Sequence, residues 1–327
     1  MGPTARLQYR RADFDCARTA NWLCCRWELG SESAAMSAAA RGEDRGEEIG
    51  DLVRLARYPI DAPDSAACQA LVARCRAQLE DSGCAVLSGF LSERGLAAMG
   101  AESATVAAAA HYSRQRANVY FSADDESLPG DHPRRLFMDR TSAFVPADAF
   151  PAVSVIRRLY DWPALMPFLQ ACLGEAVLHK YADPLADVIL NVLRPGESFP
   201  WHFDTNEFSV SLMTQRSEGG GRFEFCPNLR DPDDENYAGV GAVLAGARGP
   251  VRALDIAPGD LQIFKGRFSL HRVTRVSGAT ARYMAIYSYA REPGMVGRPA
   301  RTRQLYGKVL PVHLAAESRR RADGLAD

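Results

Sequence analysis

Several features that would point to a membrane or to nucleic acid are missing from this sequence. It has no run of about 18 apolar residues, the length that a transmembrane helix needs, and its formal net charge is only −1. A charge so near zero gives no electrostatic reason to bind nucleic acid or an anionic membrane. Eight cysteines are present without a C-x-x-C pair, so they indicate no disulfide framework. We therefore expect reduced thiols, a cytoplasmic location, and neither a nucleic-acid nor a membrane partner.

A polar tail and a helical region precede the β-rich part of the chain. Residues 1–50 mix small and polar residues without a sustained period, and we predict a disordered tail. Residues 51–180 are predicted to form a helical support region with a long polar loop at 111–150, and long loops in compact domains are often functional. The predicted helices span 66–81, about 93–110 and 152–172; Asp64 or Ser65 caps the first and Gly83 ends it.

Strand periodicity dominates residues 181–291. Turn signals separate short apolar runs without intervening helices, which is typical of a sandwich or double-sheet jelly roll. We predict a mainly β, α+β fold whose double-stranded β-helix (jelly-roll) core is packed by the N-terminal helices. A helical insertion at 231–248 is a candidate lid over the site. Residues 292–327 are predicted to form a C-terminal extension. The predicted strands are approximately 186–194, 198–204, 207–215, 222–226, 251–256, 260–264, 270–276 and 282–290.

One short motif in this region has the residues of a metal site. His202 and Asp204 lie two apart near the end of the second predicted strand, so their side chains share a face, and His271 opens the seventh. Two imidazoles and one carboxylate, with open positions opposite, are typical of non-haem Fe(II) oxygenases. Catalytic zinc is an alternative, but the chain has no general-base motif such as H-E-x-x-H. A chance surface motif with an unrelated core histidine is the other alternative.

Arg282 opens the last predicted strand. A hairpin turn at Gly278-Ala279 would pair Arg275 directly with Arg282, and two adjacent arginines repel unless an anion lies between them. A dicarboxylate cosubstrate would supply that anion through charge-assisted hydrogen bonds. We predict Arg282 as the anion anchor, with Arg275 or Arg267 sharing the task; the alternative is that these are exposed surface cations.

The order H-x-D, distal histidine and arginine on the last strand resembles the Fe(II)/2-oxoglutarate-dependent dioxygenases. Residues from about 110 to 295 more closely resemble the group typified by BesD and HalD, which hydroxylates or halogenates free amino acids. The resemblance does not cover the first 60 residues. The matching stretches are Tyr181–Leu185 (YADPL), Asn191–Gly196, Trp201–Asp204 (WHFD), Gly220–Glu224 (GGRFE), Pro258–Leu261 (PGDL) and Phe264–His271 (FKGRFSLH).

The resemblance implies cofactors and a reaction. Fe(II) would be held by His202, Asp204 and His271, while 2-oxoglutarate would chelate the metal and contact Arg282 and Asn191, leaving a position for O2. The products from the cosubstrate would be succinate and CO2. Halogenases of this group carry a small residue at the carboxylate position so that chloride can bind iron, whereas Asp204 occupies it here. We predict hydroxylation of an unactivated C–H bond, with desaturation or cyclisation as lesser outcomes.

The resemblance also implies how a substrate is held. In amino-acid-binding members, acidic groups hold the ammonium and an arginine holds the carboxylate; Asp183 and Arg140 are the candidates, with Trp201 beside the metal ligands. The predicted partner is a small polar molecule, a free amino acid. The alternatives are the same chemistry on a protein side chain and a non-enzymatic jelly-roll metal-binding protein.

Overall fold

The computed structural model describes residues 49–316 together with Leu325 and Ala326. The predicted tail, residues 1–50, lies outside the described residues apart from its last two positions. Within the described ranges, no helix is long and apolar enough to cross a membrane. The cysteines in these ranges are buried and free, as predicted for reduced thiols.

The first helix follows its predicted signals. Ser65 caps it, since the Ser65 Oγ accepts the N–H of Cys68 at 3.2 Å, and Gly83 ends it in the left-handed conformation at φ 69°. Leu71 and Leu79 are buried on its inner face. The helices are α1 (Ala66–Ser82), α2 (Glu93–Val106), α3 (Val155–Asp161), α4 (Leu165–Leu173), α5 (Tyr237–Leu244), α6 (Pro299–Tyr306) and α7 (Pro311–Ala315).

The helix predicted over 152–172 is two helices in the structure. α3 ends at Asp161 and α4 begins at Leu165, because Pro163 disfavours the helical conformation of the residue before it. Trp162 accordingly has an extended ψ of 125°. The prediction of one continuous helix was wrong at this proline.

All eight predicted strands are present, and all except the last are shorter than predicted. Further strands of two to eight residues lie outside these eight. The strands are β1 (Cys84–Leu87), β2 (His111–Ala117), β3 (Met138–Val145), β4 (His179–Lys180), β5 (Val188–Leu193), β6 (Phe199–His202), β7 (Phe208–Gln215), β8 (Gly219–Gly220), β9 (Phe223–Cys226), β10 (Arg252–Leu254), β11 (Leu261–Phe264), β12 (Leu270–Val273), β13 (Val276–Ser277) and β14 (Arg282–Ala290).

Two antiparallel sheets form the predicted jelly roll. In the described chain, the major sheet has eight strands in the order β1-β11-β7-β14-β5-β3-β2, with β4 beside β14, and the minor sheet has four in the order β10-β9-β12-β6. The sheets pack against each other through aromatic rings. The ring centroids of Phe223 and Phe225, in the minor sheet, lie 5.1 and 5.8 Å from the ring centroid of Phe264, in the major sheet. Helices α1 to α4 cover the other face of the major sheet.

Side-chain alternation gives the major sheet two buried faces. On β14, Ala285, Tyr287 and Tyr289 pack with the helices, whereas Met284 and Ile286 face the minor sheet. The inner face also carries polar side chains, which a face evolved only for packing would avoid. These polar residues are Asn191, Ser209, Ser211, Gln262, Arg282 and Ser288.

Residues 111–150 are not the long polar loop that was predicted. β2 pairs with β3 from His111 opposite Phe144 to Ala117 opposite Met138, and β3 extends the major sheet beside β5. The side chains of β2 alternate between half-buried and exposed, so this edge strand lacks the apolar residues that mark a strand in the sequence.

The hairpin predicted to pair Arg275 with Arg282 does not form. β13 pairs with β8, and Arg275 is exposed, with its Nη1 donating to the carbonyl oxygen of Gly196 at 2.5 Å. A Cβ at Gly220 would lie 1.8 Å from the carbonyl oxygen of Arg275, so only glycine allows this close backbone approach. The predicted role of Arg275 in binding the cosubstrate is therefore wrong.

The insertion at 231–248 contains a helix but not a lid. α5 is capped by Asn236, while Asp231 instead accepts the N–H groups of Asp233 and Asp234 in a turn. Val240 of α5 is buried against the outer face of the minor sheet. This packing directs α5 away from the space between the sheets.

The C-terminal extension is tied to the β core through one buried carboxylate. Asp183 accepts from Nε2 of His313 at 3.0 Å and from the N–H of Gly297 at 2.8 Å. Asp183 and His313 are 1% and 0% exposed, and a buried carboxylate without partners is costly. The contact fixes α7 and the residues before α6 to the start of the core.

We expect His313→Ala to lower the free energy of unfolding by about 2–3 kcal/mol, since Asp183 stays buried with a donor removed. Chemical denaturation followed by circular dichroism measures the change. Leu314→Ala is the control, because Leu314 is 58% exposed, and it should change the stability by less than about 0.5 kcal/mol. Equal stabilities of the two variants would contradict the role of this contact.

Candidate active site

Two imidazoles meet on adjacent strands of the minor sheet. His202 on β6 is paired directly with His271 on β12, and their ring centroids are 4.1 Å apart. The Oδ1 atom of Asp204 lies 3.8 Å from Nε2 of His202 and 3.4 Å from Nε2 of His271. The three potential ligand atoms lie within 4.8 Å of one another. The structure thus brings the three predicted ligands together.

Backbone carbonyls select the free nitrogen of each imidazole. Nδ1 of His202 lies 2.8 Å from the oxygen of Pro200, and Nδ1 of His271 lies 2.9 Å from the oxygen of Ser269. Because a carbonyl only accepts, each Nδ1 carries the proton and each Nε2 lone pair is available to a metal. Burial lowers the pKa of His202 well below its ordinary value, and His271 and Arg140 lower it further.

Asp204 is held on the side away from the imidazoles. Its Oδ2 accepts the hydroxyl of Ser209 at 2.7 Å, and its N–H donates to the oxygen of Gly266 at 3.1 Å. Burial raises the pKa of Asp204, but His271, Ser209 and Arg140 outweigh that effect and lower it overall. A Cβ at Gly266 would lie 2.0 Å from Oδ2 of Asp204, so a side chain there would displace the carboxylate.

A β-bulge in β6 directs the side chains beside the ligands. Between the pairs His202–His271 and Phe199–Val273, β6 has two residues where β12 has one. One of the two is Pro200, which a bulge tolerates because proline has no N–H to donate. The bulge turns Phe199 to the same side as His202, with their ring centroids 4.6 Å apart.

Trp201 points away from the metal ligands. It packs with Phe203 and Val240 on the outer face of the minor sheet, and the Cζ atom of Arg272 lies 4.6 Å from its ring centroid. Neighbouring residues of a strand face opposite sides. The prediction that Trp201 contacts substrate is therefore wrong.

A cavity of about 180 Å³ lies beside the three ligands, between the two sheets. The C-terminal extension forms part of its wall through residues of α6. Its lining is rich in buried nitrogen donors. The arginine and amide residues of the lining are Arg140, Asn191, Asn206, Gln262, Arg282 and Arg301.

Residues 67–300, more than half of the chain, match the family model described as HalD, halogenase D. The chain belongs to this family. The predicted resemblance to the HalD-like group of 2-oxoglutarate-Fe(II) oxygenases is confirmed by this match. No curated protein matches the chain.

Solved structures with a similar fold are more distant. A 2OG-Fe(II) oxygenase family oxidoreductase from Burkholderia pseudomallei is 17% identical, with 68% of this chain and 91% of that chain covered and a TM-score of 0.45. The epimerase SnoN from nogalamycin biosynthesis is 14% identical, with 68% and 84% covered and a TM-score of 0.49. A prolyl-4-hydroxylase from Pseudomonas putida is 15% identical, with 68% and 99% covered and a TM-score of 0.43. The family match, rather than these likenesses, carries the assignment.

Two predicted cosubstrate residues reach the cavity of this family member. Arg282 is 2% exposed, and its Nε atom has no hydrogen-bond partner among the described residues. Burial lowers the pKa of Arg282 to about 10. Within the same described ranges, Nδ2 of Asn191 also has no partner, and Asn191 lies opposite Met284, two residues beyond Arg282 on β14. These buried donors fit a carboxylate.

The donor set fits the predicted cofactors Fe(II), 2-oxoglutarate and O2. His202, Asp204 and His271 provide the two nitrogens and one oxygen of a non-haem iron site, and Arg282 provides a donor for a dicarboxylate. Arg267 does not join Arg282: it is fully buried and its Nη1 donates to the oxygen of Thr205 at 3.4 Å.

The other two predicted substrate residues, Arg140 and Asp183, differ in the hydrogen bonds that they can offer. Arg140 lines the cavity, is 2% exposed, and has no partner for Nε or Nη1 in the part of the chain described. Asp183 also lies in the wall, but its oxygens accept from Leu185, Gly297 and His313. Its carboxylate is used by the fold, so the predicted contact of Asp183 with an ammonium group finds no support in this geometry.

Arg301 on α6 was missed by sequence reasoning. Its Cζ atom lies 3.7 Å from the ring centroid of Phe121, and burial lowers its pKa to about 10. Arg298 and Arg303 lie on either side of it in the sequence. No motif distinguishes the arginine that enters the cavity from its two neighbours.

We expect Gly266→Ala to weaken metal binding by about 10- to 100-fold, the range seen when a group that orients a metal ligand is lost. The added methyl group would displace Oδ2 of Asp204. Calorimetric titration of the metal-free protein with Mn(II) measures the affinity. Gly249→Ala is the matched control, since a Cβ there meets nothing within 4 Å; unchanged metal affinity in Gly266→Ala would contradict the steric argument.

Proposed function

We propose that the protein is an Fe(II)/2-oxoglutarate-dependent dioxygenase that hydroxylates an unactivated C–H bond of a small polar substrate, a free amino acid, with release of succinate and CO2. The observation that carries this proposal is the convergence of His202, Asp204 and His271 beside a cavity lined by Arg282, whose Nε has no partner among the described residues. When bound, Fe(II), 2-oxoglutarate and O2 supply the oxidant for the C–H bond.

The side chains of the site divide the work of binding. His202, His271 and Asp204 would hold the metal. The Nδ1–H groups of the two histidines donate to backbone carbonyls, and Ser209 donates to Asp204, so that all three side chains stay oriented. Arg282 would donate to a carboxylate of 2-oxoglutarate. Arg140 holds the carboxylate of the substrate.

Asp204 supports hydroxylation over halogenation. Halogenases of the group carry a small residue at this position, which leaves room for chloride on the iron. Here the carboxylate is present and is held by Ser209 and by the close approach of Gly266. We therefore propose a hydroxylase within a family whose model is described as a halogenase.

The small volume of the cavity, about 180 Å³, supports a small molecule over a protein side chain. Phe121 and residues of α6 form part of its wall, and exclusion of water protects a reactive site from side reactions. The buried, free thiols of the described cysteines agree with the proposed cytoplasmic location.

We expect aerobic incubation with Fe(II), 2-oxoglutarate and a panel of free amino acids to give one product heavier by one oxygen, together with succinate. Mass spectrometry of the mixture identifies substrate and reaction. His271→Ala should abolish both products, because the metal loses one imidazole. Formation of a chlorinated product in the presence of chloride would contradict the proposed reaction, and no product from any amino acid would contradict the proposed substrate.

Asp204→Gly should abolish hydroxylation, because it removes the oxygen ligand of the metal. The matched control is Asp233→Gly, in an exposed turn remote from the cavity, which should retain wild-type turnover. Succinate and hydroxylated product are both measured. Full hydroxylation by Asp204→Gly would refute the assignment of the triad.

A further inference from the structure

Two guanidinium groups share one aromatic ring at the cavity. The Cζ atoms of Arg140 and Arg301 lie 4.4 and 3.7 Å from the ring centroid of Phe121. The sum of these distances limits the separation of the two Cζ atoms to about 8 Å. Phe121 has a positive φ of 58°, a strained conformation for a residue with a Cβ, and such strain is often found at functional sites. The fold thus holds two like charges close together.

Neither guanidinium is neutralised by a carboxylate of the described chain. Nε and Nη1 of Arg140 have no partner there, and Nη1 of Arg301 donates to the neutral side chain of Gln304 at 2.7 Å. Of the acidic residues that line the cavity, Asp204 is a metal ligand and Asp183 is occupied by His313. Arg140 is buried and Arg301 is half-buried, and removing a cation from water without a counter-charge is costly, so an anion from outside the chain would stabilise both.

The proposed cofactors do not supply that anion. Fe(II) brings two positive charges and 2-oxoglutarate two negative ones, while Asp204 contributes one negative charge and Arg282 one positive. These charges cancel, and a metal's own charge has to be included in such a balance. Arg140 and Arg301 are then left with two positive charges that face the substrate space.

An outer cavity of about 580 Å³ adjoins the first and shares Phe121 and Arg301 with it. Its lining contains Arg116 and Arg298, and none of the lining residues within the described ranges is acidic. Arg116 lies 3.7 Å from Asp139, but both side chains are exposed, and exposed pairs are weak. A basic entrance concentrates anions and speeds their association.

We propose that the substrate carries two anionic groups, as a dicarboxylic amino acid does, and that Arg140 binds one of these groups and Arg301 the other. The inference rests on the proposed function and specifies its substrate. Each guanidinium can form two parallel hydrogen bonds with a carboxylate or a phosphate. Besides its α-carboxylate, the substrate would therefore carry either a second carboxylate or a phosphate ester.

The test is a binding measurement that needs no turnover. Isothermal titration calorimetry is carried out on the protein with Zn(II) in place of iron and saturating 2-oxoglutarate. The probes are pairs that differ in charge and little in shape: aspartate and asparagine, glutamate and glutamine, O-phosphoserine and serine. We expect one acid to bind about tenfold or more tightly than its neutral partner, without competing with 2-oxoglutarate.

Arg301→Gln should remove this preference by weakening the acid about tenfold or more, while the neutral partner changes by less than about twofold. Arg301→Lys, which keeps the positive charge, should retain the preference and serves if Arg301→Gln folds poorly. Arg303→Gln is the matched control, because Arg303 lies on the exposed side of the same helix. It should leave all affinities unchanged.

Each outcome separates this inference from the proposed function. Equal affinity for every acid and its neutral partner overturns the inference, as does an acid that is displaced by 2-oxoglutarate. Oxidation of a neutral amino acid also overturns it while leaving the proposed function intact. Failure of 2-oxoglutarate itself to bind refutes the proposed function. A preference for O-phosphoserine supports a substrate with two anionic groups, with phosphate as the second group.

Discussion

The pairing of β6 with β12 is the interaction on which the rest of the site depends. It places His202 opposite His271, and the bulge beside the pair turns Phe199 towards the same side. Because strand side chains alternate, a slip of one residue would send an imidazole to the outer face, where Trp201 lies. The contacts of the two histidine Nδ1 atoms with backbone carbonyls, and the close approach of Gly266 to Asp204, orient the metal ligands only in this register.

Much of the fold and the metal triad could be predicted because strand periodicity is a local signal. The eight core strands and the common face of His202 and Asp204 follow from alternation and turn residues alone. His271 and Arg282 were placed by their order on later strands. The Pro163 break in the third predicted helix was also readable, since the residue before a proline resists the helical conformation.

What the sequence could not predict depends on contacts between distant segments. The predicted role of Arg275 was wrong because β13 pairs with β8 and not in the expected hairpin. Gly220 permits this pairing through its close approach to the backbone of Arg275. Trp201 failed because proximity in sequence to a ligand says nothing about the face of the strand. The position of Arg301 could not be predicted, because its contact with Phe121 depends on how α6 packs against the core. The neighbouring arginines lie in similar local sequence.

The tie between Asp183 and His313 has a consequence for how the substrate of such a protein can change. The metal ligands lie on β6, on β12 and, for Asp204, two residues after β6. Arg301 lies in a segment that is attached to the core at Asp183. Rewriting that short segment would alter which charge is recognised without altering the iron ligands. The metal site and the substrate selectivity can therefore change independently during evolution, because they belong to different segments of the chain.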